Sequence, residues 1–325
     1  MADLTRVGIL AYPGCFASEI FGITDVLTMG GHVARAHHQE PSLVTSIVSP
    51  RRRVVASGDI PLQVSAAGDD IDVLVIPGFE FVPGENVSDR LADLAPEIEV
   101  IGRHVCDGRP VVSVCVGAFL LGAAGVLDGR TVTTAWLFAD ALRQAFPCAV
   151  VDDEKLVVTD EGVTTTAAFS AMYDFVVDLI ESRHGDDVAR RTARIALLDD
   201  ARSSQTPYVD TALLPPAGSS FAARVQRHLE HHLTEPYSLK DLAAQMSVST
   251  RTLLRTYKRE TGESPLTYLQ RARIRRAQHL LASTDRTLGD VRRAVGYQDG
   301  GAFSDLFTRH TGMRPREYRG QFGRA

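Results

Sequence analysis

The chain has 325 residues, of which 44% are hydrophobic and 23% charged, with four cysteines and a formal net charge of −5. At roughly 150 residues per domain this length predicts two domains, and the composition excludes disorder, collagen and coiled coil. Cys15, Cys106, Cys115 and Cys148 form no CxxC pair, which excludes a disulfide framework and a cysteine-ligated zinc site; a reducing cytoplasm is expected, with no metal and no cofactor.

The opening MADLTRVGILAYPG carries an apolar run too short for a signal sequence and meets Pro13-Gly14 in place of a cleavage site, so no export signal is expected. Residues 7–11, 44–48, 73–76 and 111–114 read as buried strands, and 19–29, 87–94, 117–124 and 137–145 as helices between or after them. Residues 110–127 lack any charge, which reaches the lower limit for a membrane span. Pro110, Gly117, Gly122 and Gly125 argue against one, as does the change from β-branched VVSV to helix-like AFLLGAAG. A buried strand turning sharply into a helix is the better reading. Residues 149–152, 156–159 and 163–166 read as further strands, with a turn at Asp160-Glu161-Gly162, and helices at 170–183 and 187–198 close the domain. Such alternation predicts a doubly wound, flavodoxin-like α/β domain: a parallel sheet covered on both faces.

The segment SSQTPYVDTALLPPAGSS, residues 203–220, has no periodicity and reads as a linker. The expected division is therefore 1–200, a linker at 201–220, and an all-helical domain at 221–325. Charge divides at the same place. Residues 221–325 hold 19 Lys and Arg against 10 Asp and Glu, a net of +9, and the rest of the chain is at −14. A basic domain of this kind fits a phosphate surface or an acidic neighbouring domain.

The basic domain contains a repeat. Thr261-Gly262-x-x-Pro265-x-x-Tyr268 returns as Thr311-Gly312-x-x-Pro315-x-x-Tyr318, and Leu253 and Tyr257 align with Phe303 and Phe307 at the same offset. Asp241, Leu242, Met246 and Val248 align with Asp290, Val291, Val295 and Tyr297, one residue closer. In the first copy Ser238 caps a helix whose stripe Leu239, Leu242, Ala243 and Met246 faces inward. Ser249 caps a second helix with Leu253, Leu254 and Tyr257 partly inward and Thr250, Arg251, Thr252, Arg255 and Lys258 outward. A short helix, a three-residue turn and a second helix with a basic front form the geometry that enters a major groove. Pro265, after Ser264 as cap, starts a connecting helix of about 27 Å, which would set two such helices about one DNA turn apart.

From SLKDLAAQMSVSTRTLLRTYKRETGESP to HTGMRPREYR the basic domain resembles the AraC/XylS-type DNA-binding domain over its whole length. The resemblance implies a transcription regulator bound to double-stranded operator DNA, with RNA polymerase as a protein partner. The second copy departs from the first. Opposite Arg251, Leu254 and Arg255 stand Gly301, Ser304 and Asp305, which leaves Ser304 and Arg309 as its contact candidates. Gly300 and Gly301 would weaken the helix start, and Asp305 would repel phosphate.

In the first domain, a strand, then Cys115, then Gly117-Ala118 opening a helix make a nucleophile-elbow pattern, in which the helix N-terminus favours a thiolate. AYPGCFASEIFGITDVL, LVIPGF, VVSVCVGAFLLGAAGVLDGRTVTTAW and TTTAAFSAMYD together resemble the ThiJ/PfpI group, which has the class I glutamine amidotransferase-like fold, over most of residues 5–185. In this order, ahead of an AraC-type domain, they resemble the GlxA-like regulators. The resemblance implies that Glu19 hydrogen-bonds the elbow cysteine and that Gly78 and the amide after Cys115, on Val116, form an anion pocket. The group's usual histidine corresponds to Ala135, its second glycine after Pro77-Gly78 to Phe79, and a further glycine to Ala168. His104 and His184 have no context that aims them at Cys115. A thiol without its base points to a non-catalytic domain that binds a small-molecule effector or forms a homodimer. A cysteine hydrolase and a thiol redox switch, with Cys15 as resolving partner, are the competing readings.

Overall fold

The computed structural model describes residues 4–68, 70–81, 86–198, 204–209, 213 and 220–323. The chain forms two compact units, residues 1–205 and 206–325. The division falls inside the segment read as a linker.

The first unit begins with β1 (Thr5–Leu10), α1 (Ala17–Ala36), β2 (Leu43–Ser49), β3 (Val54–Ala56), β4 (Ile60–Leu62), β5 (Ser65–Ala66) and β6 (Val73–Ile76). Then come α2 (Val87–Asp93), α3 (Ala95–Cys106), β7 (Val111–Val114), α4 (Ala118–Ala123), β8 (Thr131–Val132) and α5 (Ala139–Ala145). It ends with β9 (Val150–Val151), β10 (Val157–Asp160), β11 (Val163–Thr166), α6 (Ala171–His184) and α7 (Asp186–Ile195). The main sheet runs β10-β11-β7-β6-β1-β2-β5, parallel throughout except for the β10–β11 pair. Every residue of β6 and β7 is buried, as expected for central strands covered on both faces. Helix α1 packs closely on α6: a Cβ at Gly30 would lie 2.8 Å from Ile180 Cδ1.

The structure differs from expectation at several elements. Residues 149–152 contribute only the two-residue β9, which pairs with β8 outside the main sheet. Helix α3 and the β3–β4 hairpin were not anticipated. The inward face of α3 carries Glu97 and His104 among its apolar residues, which obscures the stripe. Both are satisfied at a distance: Glu97 is paired with Arg51 at 2.6 Å, and His104 Nε2 lies 3.0 Å from the Pro110 carbonyl oxygen. Within the expected linker, Gln205 is buried in the first unit. A 3-10 turn at Thr206–Tyr208 belongs to the second, where the Tyr318 hydroxyl donates to the Pro207 carbonyl at 2.7 Å.

The second unit is helical: α8 (Phe221–His231), α9 (Leu239–Gln245), α10 (Thr250–Thr261), α11 (Pro265–Ser283), α12 (Leu288–Ala294), α13 (Gly300–Thr311) and α14 (Pro315–Phe322). Side-chain caps set the starts: Ser238, Ser249, Ser264, Thr287 and Asp299 each accept from a backbone N–H three residues on. Gly262 and Gly312, both left-handed, end α10 and α13. There are two cores. Leu242, Leu253, Tyr257 and Leu269 belong to one, and Val291, Phe303, Phe307 and Tyr318 to the other. Helix α11 supplies Tyr268, Leu269 and Ala272 to the first core and Ile274, Ala277, Leu280 and Leu281 to the second, so it is the shared rod between two copies.

Candidate functional site

The elbow follows from the packing at the end of β7. After Val114 the chain passes through Cys115 at φ +53° into the 3-10 turn Cys115–Gly117 and then α4. A non-glycine residue at positive φ persists only where its surroundings enforce it. Gly117 lets the turn press on the end of β6, since a Cβ there would lie 2.6 Å from the Ile76 carbonyl oxygen. The Thr134 hydroxyl fixes the other side by donating to the Cys115 carbonyl at 2.8 Å.

Glu19, in the first turn of α1, is fully buried. Its Oε2 accepts from the Gly78 N–H at 2.6 Å and its Oε1 has no hydrogen-bond partner among the described residues, so the expected Glu19–Cys115 hydrogen bond is not formed: the carboxyl is turned to the Gly78 amide instead. Burial pushes the Glu19 carboxyl up to about 7, with the Gly78 bond acting the other way. Burial likewise pushes the Cys115 thiol up to about 12; Glu19 adds to the rise, and backbone hydrogen bonds from Val116 and Ala135 oppose it. The Cys15 thiol, fully buried, is pushed up to about 11, also mainly by burial. Both thiols are therefore protonated near neutral pH, although a helix begins just beyond Cys115.

The expected anion pocket is corrected by these contacts. The Gly78 amide donates to the Glu19 carboxyl, so of the two amides expected to hold an anion this one is already engaged. Phe79 is 1% exposed, with its ring centroid 6.4 Å from that of Tyr12 and the Arg90 guanidinium 5.5 Å above it. Ala135, the position that the resemblance gives to the group's histidine, carries only a buried methyl. His104 is bound at Pro110, and His184 lies against Ser42 and Gln39. The residues brought together are thus Glu19 and Gly78 beside Cys115 and Val116 of the strained turn, and among the described residues no histidine stands hydrogen-bonded to the thiol.

Sequence reading missed Gln205. Its Oε1 accepts from the Trp136 N–H at 2.8 Å and its Nε2 donates to the Thr134 carbonyl at 2.9 Å, which ties the segment beside the elbow. A lone glutamine in a polar stretch carries no signal of such a role.

The second candidate is the front of α10. Thr250, Arg251, Leu254, Arg255 and Lys258 are exposed, while Leu253 and Tyr257 are fully buried beneath them. Leu254, expected partly inward, is 38% exposed and so belongs to the front. Thr252, expected outward, is half-buried, and its hydroxyl lies 2.9 Å from that of Ser249 at the cap. Among the described residues Arg251, Arg255 and Lys258 make no ion pair. In α13 the corresponding face carries exposed Gly301 and Asp305, half-buried Ser304 and exposed Arg309.

Residues 5–182 match the DJ-1/PfpI family, more than half of the chain. The chain belongs to the DJ-1/PfpI family. Residues 242–321 of this DJ-1/PfpI protein match a helix-turn-helix domain, which spans both copies of the repeat. The HTH-type transcriptional regulator GbdR of Pseudomonas aeruginosa is 27% identical over 272 residues, 82% of this chain and 72% of the relative. The HTH-type transcriptional regulator GlxA of Rhizobium meliloti is 28% identical over 218 residues, 66% of this chain and 67% of the relative. A crystal structure of a protein from Vibrio parahaemolyticus superposes with a TM-score of 0.51 at 19% identity, covering 59% of this chain and 99% of that one. It supports the fold of the DJ-1/PfpI unit. No helix among the described residues is long and apolar enough to cross a membrane.

Proposed function

We propose that this chain is a sequence-specific DNA-binding transcription regulator, with a DJ-1/PfpI unit that does no catalysis. The observation that carries the reading is the front of α10. It presents exposed cations, free of ion pairs among the described residues, on a helix that a serine cap, a buried Leu253–Tyr257 stripe and a left-handed glycine hold in place. Thr250, Arg251, Arg255 and Lys258 are the groups that meet the duplex, with Arg251 and Arg255 placed one turn apart for guanine edges. Kinship in sequence with GbdR and GlxA supports the same reading. RNA polymerase is then the protein partner, a homodimer the assembly, and the cytoplasm the setting.

The DJ-1/PfpI unit serves effector binding or dimerisation. Glu19 Oε1, a buried polar atom with no partner among the described residues, is where a small polar effector would be received. The hydrolase reading lacks a base at Ala135, and the thiol-switch reading needs a thiolate that burial opposes.

Selection of duplexes from a random DNA pool by the full chain tests the regulator reading. A shared motif is expected, with affinity falling steeply between about 50 and 200 mM salt. An unselective pool, or salt-independent binding, would remove its basis.

A further inference from the structure

The two helix-turn-helix copies carry their positive charge in different places. In the first copy it stands on the recognition helix, at Arg251, Arg255, Lys258 and Arg259 of α10. In the second, the aligned positions of α13 are Gly301, Asp305, Thr308 and Arg309. The flanks show the reverse pattern. Arg292 in α12 aligns with the buried Ala243, and Arg314 and Arg316 at the start of α14 align with Ser264 and Leu266. The same scaffold has lost cations from its reading face and gained them beside it.

These flanking arginines line one groove. It encloses about 570 Å³ and is lined by Arg292, Gly300, Ser304, Arg314, Arg316 and Glu317, among others, so it joins the α13 front to the start of α14. Among the described residues none of the three arginines makes an ion pair. Glu317, the carboxylate on this groove, has its Oε2 held by the Arg314 N–H at 2.8 Å as a helix cap. Three guanidinium groups beside a helix front of glycine and serine suit a polyanion that approaches closely and is not read. Phosphate contacts fix position, whereas base contacts carry sequence information.

We propose that the two copies divide the work: α10 reads base edges, and the second copy clamps the phosphate backbone through Arg292, Arg314 and Arg316 while α13 lies sequence-blind against the duplex. Gly300 and Gly301 put no side chain between the helix backbone and the DNA, and Asp305 has no place beside a phosphate, which leaves the clamp to the flanks. The site that one subunit covers is then asymmetric, with one segment specified by α10 and the segment a helical turn away tolerant of any sequence.

The inference rests on DNA binding by the helical unit, which the unaltered chain tests by itself. Full-length protein would be used to select duplexes from a random pool. Binding to a selected duplex and to a scrambled one would then be measured by fluorescence anisotropy at several salt concentrations. The double variant Arg314→Gln/Arg316→Gln, at exposed positions and checked for folding by thermal melting, should weaken both duplexes by the same factor, about tenfold or more at moderate salt. Its log-affinity against log-salt slope should become shallower by about 2, from two lost phosphate contacts at roughly 0.9 each. The base preferences it selects should be unchanged. Arg251→Gln/Arg255→Gln should instead bring the selected duplex down towards the scrambled one. Two equally specified segments a helical turn apart within the site of one subunit would overturn the proposal. So would an Arg314→Gln/Arg316→Gln variant with an unchanged salt slope, or one that loses affinity only when RNA polymerase is present. Failure of the unaltered chain to bind any duplex would instead overturn the DNA-binding reading beneath it.

Discussion

The elbow at Cys115 and the front of α10 are both short turns that feed a helix, yet they leave their reactive groups in opposite conditions. At the elbow the turn is strained, Glu19 is fully buried, and the carboxyl and thiol are pushed towards their neutral forms. At α10 the turn is capped by Ser249 and the cations stand in solvent. Burial, more than the kind of residue, decides what each site can do: desolvation removes charge from the first, and exposure leaves the second able to meet a charged partner.

The largest expected effect would break the α10 side of the contrast. Leu253 is fully buried under the recognition front, so Leu253→Ala should destabilise the helical unit by about 2–5 kcal/mol, read as a loss of helical signal at lower urea. A cost under about 1 kcal/mol would mean that the front does not depend on that core.

The elbow can be tested by pH. The Glu19 carboxyl is raised to about 7 from 4.5, so the folded state binds the proton more tightly than the unfolded chain. The stability that this contributes is fully present below about pH 4.5 and is lost as pH rises through about 7, a change of roughly 3 kcal/mol. Glu19→Gln removes the titration while keeping an acceptor for the Gly78 N–H. The variant should unfold at higher urea than the parent at pH 8 and match it near pH 4, as followed by the fluorescence of Trp136, the single tryptophan. A parent whose advantage grew with pH would mean that Glu19 is held ionised.

On the exposed side, Arg255→Ala should cost about 1–3 kcal/mol on a selected duplex and less on random DNA, by anisotropy. Equal losses would make Arg255 a phosphate contact. Smaller still, Gly300→Ala should stabilise the helical unit by up to about 1 kcal/mol, because a Cβ there meets nothing within 4 Å; the melting temperature reports it. Least of all, Cys115→Ser should leave duplex affinity unchanged at basal conditions. A change beyond about threefold in the anisotropy titration would show that the elbow reports to the DNA.

The sequence was most legible where the signal is local. The caps Ser238, Ser249 and Ser264, the stops at Gly262 and Gly312 and the buried pair Leu253–Tyr257 are each set by neighbours within a few residues, so pattern alone located both helix-turn-helix copies. The central strands at 73–76 and 111–114 were equally plain, because burial on both faces demands an unbroken apolar run. Helix α3 was hidden because Glu97 and His104 on its inward face find partners elsewhere in the unit, at Arg51 and Pro110. Leu254 was misassigned because helical spacing gives a direction and not a neighbour, and among the described residues it is left exposed.

By itself, then, the sequence determined the central strands, the helix-turn-helix repeat and the charge asymmetry, which follow from residue type and spacing along one chain, and the resemblance it carries marked Ala135 as the place of a missing histidine. Only the tertiary structure decided the state of the elbow. It spent the Gly78 amide on Glu19, filled the neighbourhood with Phe79, and brought Gln205 from the expected linker onto Thr134 and Trp136. It likewise gathered Arg292, Arg314 and Arg316 around one groove. The physical reason is that hydrogen-bond satisfaction, desolvation and the convergence of like charges depend on which distant residues become neighbours, and spacing along the chain does not carry that information.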